Sequence, residues 1–173
     1  HAGFTEADLR ALIAEEAPWP DWDSLELAAL ARRLCPAPSP ACVADTARWV
    51  LRNIREDRRL TRAAHVLQQR SGSRLHLLAS LLSHQGRAPR MLLARATRGS
   101  NGPIVWPDPS DYPIWLLDVP GFGVIDPRFT HLPPGRMVPA VGGTLAIGLG
   151  PGPPTVRLAE AAPQTRRLEI LAT

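Results

Sequence analysis

Between residues 71 and 85 the chain carries Leu75, Leu77, Leu78, Leu81 and Leu82 at helical spacing, and these leucines cover more than one narrow stripe. A surface helix shows a single apolar face, so this width predicts a helix buried on most sides, around which the rest of the fold must be arranged. Gly86 marks its end. Pro89 then leads directly into an alternating stretch over 90–96 that reads as a strand.

The sequence on either side of that helix differs in kind. Upstream, Thr5 and Asp8 make a capping-box pattern before Leu9, Leu12 and Ile13, predicting a helix over 5–16. After a Pro-Trp-Pro break, Leu25, Leu27, Leu30 and Leu34 predict a second helix over 24–34. Ser39-Pro40 opens a third through Val43, Trp49, Val50 and Ile54, which fades into the charged run 55–59, and a short helix is expected over 61–69. Downstream, strands are expected over 112–119, 123–126 and 144–149, separated by Pro120-Gly121, Pro133-Pro134-Gly135 and Val141-Gly142-Gly143. Helices followed by an antiparallel sheet make an α+β domain spanning residues 1–150. Residues 151–173 read as a Pro/Gly-rich linker or extended arm ending in a strand over 166–171, leading into a further domain of a longer protein, with His1 a tag remnant.

Charge excludes less than it first suggests. The pI of about 10.3 comes with a net charge of only +4, because all 20 basic residues are arginine and none is lysine. The arginines are dispersed and lack interleaved aromatics on which bases could stack, so no nucleic-acid partner is expected. Apolar residues nowhere run for the ~20 positions a membrane-spanning helix needs. Cys35 and Cys42 bound a loop containing Pro36, Pro38 and Pro40. In an oxidising compartment that loop can close as a disulfide; in a reducing one it holds two free thiols. The spacing does not suit a metal site, and no metal or cofactor is expected.

From residue 45 to 126 the order of motifs resembles the transglutaminase-like domain, a branch of the papain-like cysteine-protease superfamily. A helix ends at Asn53-Ile54, and His65-Val66-Leu67 and Arg70-Ser71-Gly72-Ser73 precede the long apolar helix. Gly86-Arg87-Ala88-Pro89-Arg90 then stands where the family has a Gly-Ile-Pro-Ala-Arg stretch. Tyr112-Pro113-Ile114-Trp115-Leu116, the Pro120-Gly121-Phe122-Gly123 turn and Val124-Ile125-Asp126-Pro127 follow in the family's order. Pro134-Gly135 and Gly142-Gly143-Thr144-Leu145 resemble the tail of a bacterial subgroup. The likeness covers about half the chain.

The resemblance implies a helix packed on an antiparallel sheet, with a nucleophilic cysteine at the helix start, a histidine on the next strand and an orienting aspartate. Here the nucleophile position falls on Ser71 without gaps, or on Gly72, Ser73 or Arg74 with slippage. The histidine position falls on Tyr112 or Pro113, and Asp126 alone remains of the three. The implied protein is a catalytically silent, protein- or peptide-binding module of a larger bacterial protein, in a periplasmic or cell-envelope setting. Tyr112, Ser73 and Trp115 are its candidate binding residues.

Two other readings compete. A serine hydrolase or acyltransferase would use Ser71 or Ser73 at a helix start with a base drawn from His65, His76, His84 or His131. An unrelated α+β interaction domain would offer Trp19, Trp22, Trp106 and Trp115 as contact residues.

Overall fold

The computed structural model describes residues 24–57, 61–94, 114–128, 141–149, 152–153 and 155–159. The expected helix over 5–16, the strand over 166–171, Tyr112, His131, Trp19, Trp22 and Trp106 lie outside these residues.

Four helices precede the sheet among the described residues: α1 (Leu25–Leu34), α2 (Pro40–Asn53), α3 (Ala63–Gln69) and α4 (Arg74–His84). Local chemistry sets their starts. The Ser24 side chain accepts a hydrogen bond from the Leu27 N–H at 3.3 Å, and Pro40 supplies the first residue of α2, where no amide donor is needed. Every residue of α4 from Leu75 to Ser83 is buried, as the leucine pattern requires. The helix ends in a Schellman motif: Gly86 has φ 74° and donates to the Ser83 carbonyl, and the Arg87 N–H donates to that of Leu82, both at 3.0 Å.

The sheet has the order β5-β4-β3-β6-β7, antiparallel throughout, with β3 (Arg90–Ala94) at its centre. Its neighbours are β4 (Ile114–Val119) and β6 (Leu145–Gly148), and its edges are β5 (Gly123–Ile125) and β7 (Thr155–Arg157). The pairs Met91↔Leu117 and Leu93↔Trp115 join the main core against the helices. Leu92↔Leu116 and Ala94↔Ile114 join a second cluster on the opposite face, with Val141 and Leu158. Alternation along β3 and β4 thus feeds two cores. The domain is α+β, with a buried helix packed on an antiparallel sheet.

Three expectations need correction. The charged run after α2 does not simply fade: β1 (Arg55–Glu56) pairs in parallel with β2 (Ser71–Gly72). The buried helix therefore starts at Arg74, not at Ser71, because Ser71 and Gly72 are extended and held by that pairing. The stretch after residue 150, expected as a linker or arm, contributes β7, whose Val156 faces Ala146 of β6. None of the described helices is long and apolar enough to cross a membrane.

Candidate functional site

Of the sequence-expected site residues, Ser71 and Gly72 form β2, Ser73 and Arg74 open α4, Trp115 lies on β4 and Asp126 follows β5. Arg70 leaves α3 in a left-handed conformation (φ 54°) and turns the chain into β2. The Arg55 N–H donates to the Arg70 carbonyl at 3.0 Å and the Asp57 N–H to the Gly72 carbonyl at 3.1 Å, fixing the short parallel ladder beside the helix. This ladder brings Glu56 opposite Gly72 and so to the helix start.

The helix N-terminus carries backbone donors that face no carbonyl of their own helix. Two of these are already engaged. Ser73, buried, is the N-cap, and its Oγ accepts from the His76 N–H at 3.4 Å. The Glu56 Oε2 accepts from the Arg74 N–H at 3.2 Å. A carboxylate thus occupies part of the place where the resemblance would put a nucleophile and an oxyanion.

Arg74 puts a cation at the positive end of α4, an unfavourable place for it. Its guanidinium reaches across to the end of α2 instead, donating from Nε to the Ile54 carbonyl at 2.8 Å and from Nη2 to that of Leu51 at 3.2 Å. Burial pushes the Glu56 carboxyl above its ordinary value; the Arg74 N–H and guanidinium oppose that push, and the charges of Asp57 and Asp126 add to it.

Asp126 is buried just after β5. Its Oδ1 accepts from the Arg128 N–H at 3.1 Å and from Arg128 Nε at 2.8 Å, and its Oδ2 from Arg128 Nη2 at 2.6 Å. The carboxylate that the resemblance assigns to orienting a histidine is therefore clasped by an arginine two residues on.

Each alternative nucleophile position has a definite setting. Ser71 is half-buried on β2. Gly72 has φ 133°, and a Cβ there would lie 2.7 Å from Val66 Cγ2 and 3.0 Å from Thr61 Oγ1, so that position holds no side chain. Ser73 is committed to the cap. The contact between a histidine and the Ser73 hydroxyl is through the main chain, the His76 N–H donating to Ser73 Oγ. His65 is exposed on α3, and His84 lies at the far end of α4. His76, expected more than a turn into the helix, is instead in its first turn, because the helix begins three residues later.

Trp115, partly buried, packs on the main core from β4, opposite Leu93. Cys35 and Cys42 are joined by a disulfide, with Cα atoms 5.2 Å apart. Among the described residues no group of three or more histidine, cysteine or acidic side chains is arranged to hold a metal ion.

The residue that sequence reasoning missed is Glu56. It sits in the charged run Arg55-Glu56-Asp57, which reads as a solvated helix end, and only its pairing with β2 brings it to the site. No family model, curated protein or solved structure matches this chain.

Proposed function

We propose that this chain is a non-catalytic protein- or peptide-binding module, built on a transglutaminase-like arrangement and belonging to a larger bacterial protein. One observation carries the reading: the start of α4 is occupied by the chain's own groups. The Arg74 N–H is given to Glu56 and the His76 N–H to Ser73, while both oxygens of Asp126 are given to Arg128. A serine nucleophile needs a base within hydrogen-bond reach and donors left open for the oxyanion. With the Arg74 and His76 N–H groups already taken, the arrangement at the α4 start disfavours the second requirement. The Cys35–Cys42 disulfide supports an oxidising, extracytoplasmic setting.

A fluorophosphonate probe tests this directly on the folded protein. The expected result is no covalent labelling. Labelling that disappears in Ser71→Ala or Ser73→Ala would establish the serine hydrolase reading in its place.

A further inference from the structure

The helices α1, α2 and α3 enclose an open cleft of about 400 Å³, within the size range of ligand sites. Its apolar surface comes from Leu30, Trp49 and Leu67, one from each helix, and its charges are Glu26, Arg33 and Arg70. Among the described residues none of these three charges has an ion-pair partner, whereas Asp45, Asp118 and Asp126 all pair with arginines. The cleft thus presents two unneutralised guanidinium groups against one carboxylate.

Arg70 adds a second observation. It is the only non-glycine among the described residues with a positive φ, at a helix end where glycine or asparagine would adopt that conformation with less strain. The conformation accompanies a specific placement: its guanidinium carbon stands 5.4 Å from the centre of the Trp49 ring. Strain retained by a residue that lines a cleft points to use of that cleft.

The third observation is Leu25, which is 85% exposed. It precedes the cleft residue Ala29 by four positions and so lies on the same side of α1, one turn toward its start. The apolar track therefore runs about 6 Å beyond the cleft along the helix, a length that suits a chain more than a compact small molecule.

We propose that this cleft is the docking site for an acidic, apolar peptide segment. One apolar side chain of the peptide packs against Leu30, Trp49 and Leu67, a second covers Leu25, and a carboxylate pairs with Arg33 and Arg70. Tryptophan and arginine are the residue types that dominate binding energy at such surfaces, and charge complementarity selects the acidic partner over a basic one. The proposal rests on the reading of the chain as a binding module and moves its seat from the α4 start to the cleft between α1, α2 and α3.

The test uses the ¹⁵N-labelled chain and two blocked peptides sharing the same leucines and phenylalanine, one with glutamates and the other with lysines at the remaining positions. The acidic peptide is expected to bind saturably and to shift the Trp49 indole and Leu67 amide signals. Arg33→Glu, at an exposed position in the last turn of α1, should weaken it at least tenfold while lowering the melting temperature by only a few degrees, and should improve binding of the lysine peptide. Equal binding of the two peptides, absence of binding, or insensitivity to Arg33→Glu overturns the proposal. Shifts confined to Ser73, Asp126 and Trp115 overturn the cleft as the seat and leave the module reading standing. Fluorophosphonate labelling overturns the module reading while leaving the peptide result to judge the cleft.

Discussion

Glu56 shows how one side chain can hold two opposed roles. A carboxylate at a helix N-terminus is favoured by the helix dipole and by the amide it accepts from. Removing that carboxylate from water disfavours its charge, and burial is the larger effect, so the folded protein holds Glu56 above its ordinary value of 4.5. A carboxyl raised on folding contributes most to stability when protonated. Its contribution is complete below pH 4.5 and is lost as pH rises through the folded value. Glu56→Gln keeps an oxygen for the Arg74 N–H and removes the titration. Thermal unfolding of both proteins from pH 4 to pH 7 should therefore show the glutamine variant gaining relative to the parent as pH rises. Parallel curves across that interval would contradict the assignment.

At the scale of elements, the sequence was legible where local rules decide. Ser24, Pro40 and Gly86 fixed helix ends, the leucine excess fixed the burial of α4, and Pro120-Gly121 fixed the turn from β4 to β5, with Gly121 at φ 77°. It was not legible where two distant residues pair. β1 and β2 are two residues each and have no period, and they exist because residue 55 meets residue 71. Missing that pairing misplaced the start of α4 by three residues and hid Glu56. The cleft was equally invisible, since its residues come from three helices and each reads locally as an ordinary amphipathic position. Gly72 is the tightest point of this corner. Gly72→Ala combines a φ that L residues rarely adopt with a Cβ 2.7 Å from Val66, and should cost about 3 kcal/mol from strain and overpacking together. Gly121→Ala also has positive φ but meets nothing within 4 Å, so it should cost only about 1 kcal/mol. Urea unfolding of the two variants checks both values, and equal losses would remove Val66 from the explanation.

For the molecule as a whole, long-range polar ties complement the shared core. Gln85 Nε2 at the end of α4 donates to the Ala31 carbonyl at 3.2 Å and to Thr46 Oγ1 at 2.8 Å, joining the buried helix to α1 and α2. Arg87 reaches the Ser39 carbonyl at 3.0 Å on the same side. On the sheet, Arg90 bridges Asp118 at 2.9 Å and the Pro153 carbonyl at 2.8 Å, fastening the approach to β7 across β3 and β4. The disulfide differs from these ties because it links residues only seven apart, between helices that the core already holds together. Its effect should therefore fall mainly on the unfolded chain. Chain-entropy arithmetic for a loop of that length gives roughly 2.5 kcal/mol, and three prolines within the loop already restrict it, so about 2 kcal/mol is expected. For a chain of this size that lowers the melting temperature by about 4–8 °C. Calorimetry with and without a reductant, repeated on Cys35→Ser/Cys42→Ser, should give the same drop by both routes. A much larger drop from the serine pair alone would show that Cys42, buried in α2, matters through packing, and that the bridge is secondary to the side chain it uses.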